Sequence, residues 1–378
     1  MTLTQNELVI IGKYFNTIND FMNLAKTCDN YNILNLYHFN PIPLDNNTIK
    51  LFSNIETYHK YNNIFSHTFK LKNVIDWTYV EYNKRNKNAN IIYKYLYFKP
   101  DDILKNIVIP NDVNIMINGN FKDYKNLKNI IISTSIKEIS KECFAYCSNL
   151  SNINIPSSVT KIDNYCFAYC NNLTNINIPS SVTKLGIGCF DGCENLSNIN
   201  IMNVKEIDKE CFKYCNNLTN INIMNVTKLS EECFKACSNL SSINIPTSVT
   251  KIDNFCFAYC SNLSKINTMN VTKLGNYCFY ECTNLSNINI MNVTKLGNYC
   301  FAWCTNLKCI NIPTNVKEIS DSCFEACYNL TSINIPTSVT KLGKKSFAFC
   351  PNLTNINIST NIKEIGKNCF KGCDKLNI

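Results

Sequence analysis

The stretch CFAYCSNLSNINIPSSVTKIDNY, residues 143–165, is one turn of a pattern that runs on to the end of the chain. Its opening, Cys-Phe-x-x-Cys-x-Asn-Leu, starts at Cys143, Cys166, Cys189, Cys211, Cys233, Cys256, Cys278, Cys300, Cys323, Ser346 and Cys369. The starts lie 23, 23, 22, 22, 23, 22, 22, 23, 23 and 23 residues apart. A degenerate copy begins near Phe121 and a half copy near Leu104. A fixed period of this length marks a solenoid, in which no unit closes a core alone and stacked neighbours do.

Within the unit, the apolar positions are Cys143, Phe144, Cys147, Leu150, Ile153, Ile155, Val159 and Ile162. Alternation at Ile153 and Ile155 predicts a short strand with those side chains inward. Asn152 and Asn154 then point outward, onto the expected concave face. Phe144 and Cys147 are expected on a short helical turn, and Val159 and Ile162 re-enter the core from the return side. Units of 23 residues mostly leave the strand through INIPSSV or INIPTSV. Units of 22 use INIMNV or INTMNV, at Met202, Met224, Met269 and Met291. The length change is therefore expected at a corner and not in a strand.

The spacing Leu150-x-x-Ile153-x-Ile155 is that of leucine-rich repeats. The longer pattern L-x-x-I-x-I-P-x-S-V-T-x-I-x-x-x-x-F-x-x-C resembles the BspA-like leucine-rich repeat of bacterial and protozoan surface antigens. It covers about three quarters of the chain, with Cys where that family commonly has a small residue before Phe. The N-terminal stretch also resembles the leader of amoeba-type members. The resemblance implies adhesion or partner binding and brings no catalytic residues. The expected fold is a right-handed α/β, mainly β, solenoid at residues 104–378 behind a small helical cap or docking region at 1–103.

In that first region, Leu8, Ile11 and Phe15, then Phe21, Leu24, Ala25 and Cys28, have helical spacing, and Thr17 with Asp20 fits a helix start. Two roles fit these helices: sealing the open end of the solenoid, or docking as an F-box does in a ubiquitin-ligase substrate adaptor. Residues 81–100 read as a linking segment.

The composition narrows the function classes. The chain has 378 residues, a formal charge of +9 and only 17% charged side chains, so a partner of strong opposite charge is not demanded. The N-terminus shows no secretory signal, and no run is long and apolar enough to span a bilayer. The expected location is the cytoplasm or the periphery of the plasma membrane; an adhesin exported by an unconventional route is the rival. There are 23 Cys. The x3 spacing is not that of zinc knuckles, and all three His (His38, His59, His67) lie outside the array. Stacked thiols run parallel, so buried reduced Cys is expected over disulfides or metal. The recurrent Asn-Leu-Ser/Thr sequons would crowd the stack if glycosylated; the Asn is expected instead to bond backbone groups and form a ladder.

The candidate site is the concave face. Its inner column is Asn154, Asn177, Asn200, Asn222, Asn244, Asn267, Asn289, Asn311 and Asn334, ending at Asn357. The flanking column breaks from Asn at Ser242, Lys265, Cys309 and Ser332, where specificity is expected to sit. Two readings fit: a hydrogen-bonding surface for an extended peptide or glycan, or an amide ladder satisfying itself. A return-side stripe, Lys161, Lys184, Glu206, Lys228, Lys251, Lys273, Lys295, Glu318, Lys341 and Glu364, reads as a solvated face or an anion contact. No cofactor, catalytic set, metal site, nucleic-acid partner or integral membrane segment is expected; a protein partner is.

Overall fold

The computed structural model describes residue 15 and residues 17–27, 57–60, 73–87 and 91–376. Two compact units emerge: residues 1–99 with 111–115, and residues 100–110 with 116–378.

In the first unit, helix α1 (Ile18–Thr27) starts as its sequence dictates. The Asp20 amide donates to Thr17 Oγ1 at 3.3 Å, and the Thr17 amide donates to Asp20 Oδ2 at 2.8 Å. This reciprocal box satisfies two otherwise orphaned donors. Leu8, Ile11, Cys28 and most of the F-box-like pair lie outside the described residues. The other described residues of the unit add a sheet to the helical expectation. Strands β1 (Thr57–Lys60), β2 (Asn73–Glu81) and β3 (Ile91–Tyr97) form a parallel sheet in the order β1-β2-β3. The supposed linker at 81–100 thus contains a strand. IIYKYLY is rich in the β-branched and aromatic residues that fit a pleated, half-buried surface. The Asn114 side chain closes its edge, accepting from the Leu96 amide at 2.9 Å and donating to the Tyr93 carbonyl at 2.8 Å.

The second unit is a mainly-β solenoid of about eleven turns, as the period requires. One side carries three-residue strands: β4 (Asn106–Val108), β5 (Asn129–Ile131), β7 (Asn152–Asn154), β9 (Asn175–Asn177), β11 (Asn198–Asn200), β13 (Ser242–Asn244), β15 (Lys265–Asn267), β17 (Cys309–Asn311), β19 (Ser332–Asn334) and β21 (Asn355–Asn357). The return side carries two-residue strands: β6 (Glu138–Ile139), β8 (Lys161–Ile162), β10 (Lys184–Leu185), β12 (Glu206–Ile207), β14 (Lys251–Ile252), β16 (Lys273–Leu274), β18 (Glu318–Ile319), β20 (Lys341–Leu342) and β22 (Glu364–Ile365). All pairing is parallel and keeps equivalent residues opposite, as in Asn198↔Asn175 and Ile199↔Ile176.

Residues 220–222 and 287–289 carry the same Asn-Ile-Asn signature but fall outside the regular ladders. Each lies in the second of two consecutive 22-residue turns. The missing residue is lost at the strand-exit corner: the turn closes Val159 onto Pro156 in a long unit, and Val226 onto Ile223 in a short one.

The expected helical turn at Phe144 and Cys147 is a run of tight turns instead. Amides of Cys143, Ala145 and Cys147 bond carbonyls three residues back, whereas those of Glu142, Phe144 and Tyr146 bond Asn164, Cys166 and Ala168 of the next turn. A helix would need every amide within its own chain segment. The alternation also puts Glu142 and Tyr146 at φ +55 and +62, and their equivalents follow suit to Asn368 and Gly372. Such left-handed residues cost about 1–2 kcal/mol each outside glycine, so the inter-turn bonds must hold them.

The core explains the columns. Phe121, Phe144, Phe167, Phe190, Phe212, Phe234, Phe257, Phe279, Phe301, Phe324, Phe347 and Phe370 form one stack, with neighbouring ring centroids 5.3–5.6 Å apart and planes within 9° of parallel. The second Cys of each turn donates its thiol to the Phe carbonyl one turn earlier: Cys147 to Phe121 at 3.0 Å, Cys237 to Phe212 at 3.1 Å, Cys327 to Phe301 at 3.2 Å. A thiol fits because it is small and apolar yet carries a weak donor. Among the described residues the Cys are free, and Cys309 is the exposed one. Burial pushes the Cys147 thiol up to about 12 and also raises Cys237.

Reactivity follows thiolate fraction and access. In a background with Cys28→Ser and Cys373→Ser, a thiol reagent is expected to modify Cys309 first, with thiols of the middle turns such as Cys237 slower by about a hundredfold or more because they need local opening. Peptide mapping after timed alkylation checks this; simultaneous labelling of Cys237 and Cys309 would contradict the packing.

The Asn-Leu asparagines do form a ladder, with a corrected partner. They bond each other more than the backbone: Asn172 donates to Asn149 at 3.0 Å, Asn217 to Asn195 at 3.0 Å, Asn262 to Asn239 at 3.1 Å and Asn284 to Asn262 at 3.0 Å. An amide can donate and accept at once, so one column serves every turn. The return-side stripe is partly paired, with Lys184–Glu206 at 3.2 Å and Lys341–Glu364 at 3.0 Å.

Candidate functional site

The candidate site is the face bearing the three-residue strands. Pleating turns Ile153, Ile176, Ile199 and Ile243 inward, where they are at most 7% exposed, and the flanking residues, Asn except for Ser242, outward. The structure places Asn154 on β7, Asn177 on β9, Asn200 on β11, Ser242 and Asn244 on β13, Lys265 and Asn267 on β15, Cys309 and Asn311 on β17, and Ser332 and Asn334 on β19. Asn222 and Asn289 hold the same register place in the two turns outside the ladders. Pairing brings Ser242 opposite Lys265 and Cys309 opposite Ser332. The two breaks in the flanking column are therefore two separate patches.

The inner amides do not bond one another among the described residues. The corner sequence decides what they do. In the short turns, Asn200, Asn222, Asn267 and Asn289 accept through Oδ1 from the amides of Met202, Met224, Met269 and Met291, at 3.1–3.2 Å. This Asx turn aims the amide nitrogen away from the backbone. In the long turns the same position is Pro156, Pro179, Pro246, Pro313 or Pro336, which has no N–H to give. Asn154, Asn177, Asn244, Asn311 and Asn334 keep both polar atoms for solvent or a ligand. One face thus carries two kinds of asparagine, fixed donors and free amides.

A cleft of about 240 Å³ opens on this face where the ladder is interrupted, lined by Asn220, Ile221, Asn222, Ile223, Met224, Ser242, Ile243 and Asn244. It gathers three of the expected residues, Asn222, Ser242 and Asn244, and adds Met224, which is 73% exposed. The sequence clue to it was the pair of consecutive 22-residue turns. Further along, Lys265 is one turn away, and the Cys309 and Ser332 patch lies beyond the second interruption.

No titratable cluster accompanies the cleft. Among the described residues, no group of three or more His, Cys, Asp or Glu converges as a metal site, and no helix is long and apolar enough to cross a membrane. The arrangement offers hydrogen bonds and a small apolar floor.

The BspA type leucine rich repeat region matches in six copies, over residues 90–219, 205–301 and 272–378. Among solved structures, a leucine-rich repeat protein from Bacteroides ovatus is 26% identical; 72% of this chain and 77% of that one are covered, with a TM-score of 0.54. One from Eubacterium ventriosum is 19% identical, covering 73% and 83%, with a TM-score of 0.53, a likeness of fold alone. A leucine rich cell surface protein from Faecalibacterium prausnitzii is 23% identical, covering 85% and 86%, with a TM-score of 0.49. No curated protein matches the chain.

Proposed function

The chain belongs to the BspA-type leucine-rich repeat family, and from that premise we propose that it is a non-catalytic interaction scaffold whose strand face binds an extended polar chain of a protein partner. One observation carries the reading: the inner amides leave one another unbonded and present nitrogen donors outward at turns 200, 222 and 267. A self-satisfied ladder would offer nothing, as the Asn149 column shows by contrast. Parallel turns about 4.8 Å apart repeat the donors along the face, which suits a ligand running along the solenoid. The cleft at Asn222 and Asn244 takes one protruding side chain against Ile221 and Ile243.

The test screens the full chain against arrays of peptides and glycans, then repeats it with Asn222→Lys and Asn244→Lys together. Both side chains are exposed; the variant loses the bond from the Met224 amide to Asn222, worth about 1 kcal/mol, so it is expected to fold with a melting temperature lowered by a few degrees at most. Losing two buried hydrogen bonds on binding costs roughly 2–3 kcal/mol, so peptide affinity is expected to fall at least tenfold. Undiminished binding by the double variant would exclude this face, and binding of glycans alone would replace the partner class.

A further inference from the structure

A second surface, on the tight-turn side, carries a different chemistry. The second of the two left-handed positions in each turn, Tyr146 in the first full turn, becomes Trp303, Ala326, Phe349 and Gly372 at the end of the array. Over the last four turns it alternates a large ring with a small residue. Trp303 and Phe349 are 40% and 41% exposed, whereas Ala326 between them is buried. The result is a groove of about 570 Å³ lined by Trp303, Glu325, Ala326, Tyr328, Phe349, Pro351, Gly372 and Asp374. Its other walls also depart from the repeat. Tyr328 and Pro351 stand in a column that in earlier turns holds Ser, Thr, Asn or Glu, and Glu325 in one that is Ala in five turns and Asp, Lys or Tyr in others. Tyr328 and Pro351 thus put two bulky, weakly polar groups beside the exposed rings, where earlier turns carry small or polar side chains.

We propose that this groove docks a proline-rich peptide carrying a basic residue. Three features favour that occupant. First, polyproline II segments bind slots between aromatic rings, and being pre-extended they lose little entropy on docking. Second, the pitch fits. Neighbouring rings of this column advance 4.9 Å per turn where both are aromatic, at Tyr146 and Tyr169, so the two-turn step from Trp303 to Phe349 is roughly 10 Å. A polyproline II helix repeats every three residues, about 9 Å. Third, the rim is acidic through Glu325 and Asp374 in a chain of net charge +9. The chain's own lysines show the contact a ligand would make: Lys345 Nζ lies 4.0 Å from Glu325, and Lys371 Nζ lies 5.8 Å from the Phe349 ring centre. Both contacts are long, so an incoming Lys or Arg can displace them. A sugar would want a flat platform. Here Tyr328 meets Trp303 edge-on, at 73° and 5.8 Å, which makes a slot instead.

The test uses the full chain in a Trp77→Phe background, so that Trp303 is the one remaining indole. Its fluorescence is titrated with a synthetic Lys-Pro-Pro-x-Pro decapeptide, with the same peptide bearing Ala for Pro, and with neutral oligosaccharides. Saturable change with the proline peptide and at least tenfold weaker binding of the Ala-substituted peptide are expected. Phe349→Ala should weaken binding tenfold or more, and Glu325→Gln with Asp374→Asn about threefold, the latter loss shrinking in high salt. Ala already occupies this left-handed position at Ala236 and Ala326, so Phe349→Ala keeps the turn. Equal affinity for both peptides, an unaffected Phe349→Ala variant, or response to oligosaccharide alone would overturn the proposal.

Discussion

Phe234→Ala is expected to remove about 3–5 kcal/mol of stability and to split the unfolding of the repeat array into two transitions. Phe234 is fully buried, and its ring lies between those of Phe212 at 5.5 Å and Phe257 at 5.6 Å. Truncation removes two stacking contacts of about 0.5–1.5 kcal/mol each in addition to the transfer term, and leaves a void that the parallel backbone cannot close. A solenoid adds nearest-neighbour terms, so a lesion in the middle uncouples the turns on either side. The same change at Phe370 should cost about half as much, because that ring is only half-buried and has one described stacking neighbour, Phe347 at 5.6 Å. Urea titrations followed by circular dichroism, with hydrogen exchange resolving the two halves, measure both. A single transition with a loss below 1 kcal/mol at Phe234 would mean that the ring column is not the element that couples the turns.

Much of this was legible because repetition multiplies weak signals. One Ile-x-Ile pair is ambiguous between strand and buried helix; the same pair in nine full turns at a fixed offset is not. The corner indels were legible for the same reason. The tight-turn side was not. Phe144 and Cys147 at i and i+3 fit a helical turn as well as two successive β-turns, and what separates them is that Glu142, Phe144 and Tyr146 bond the next turn. That is non-local information. The positive φ at Glu142 or Trp303 contradicts local preference outright, and tertiary bonds override it. In the first unit there is no repetition to help, and residues 81–100, which read as a linking segment, contain the strand IIYKYLY.

The strand face was half legible. Its columns follow from alternation, but their chemistry depends on a residue two places on. Asn154 and Asn200 look alike in sequence until Pro156 and Met202 are compared. The cleft at Asn222 depends on the ladder interruption, which strand pattern alone does not show. The aromatic groove went unread because each of its residues sits in a column that looks variable; only the stacked turns bring Trp303, Tyr328 and Phe349 together.

Asp191 is expected to be a liability at neutral pH, and Asp191→Ala to stabilise the protein by about 2–3 kcal/mol at pH 7 while changing little at pH 4. The position is Ala in five other turns, all buried. Asp191 itself is 6% exposed, and its Oδ1 has no hydrogen-bond partner. Burial pushes its carboxyl up to about 6, against the opposing pull of Lys213 and with Glu210 and Glu232 adding to the rise. The phenol of Tyr169 is raised in turn, chiefly by the Asp191 charge.

An acid whose folded value lies above its unfolded one, about 3.9, binds its proton more tightly in the native state. Its contribution is therefore fully present below pH 4, declines as pH rises through 6 and is gone above it. A rise of this size corresponds to about 2–3 kcal/mol. Removing the carboxylate does not strand Lys213, whose Nζ lies 2.6 Å from Glu232 and 3.6 Å from Glu210. Urea titrations of both proteins at pH 4, 5, 6 and 7 should show the stability difference opening between pH 4 and 6 and then levelling. An equal gain at pH 4 and pH 7 would assign the effect to packing volume and not to the buried charge.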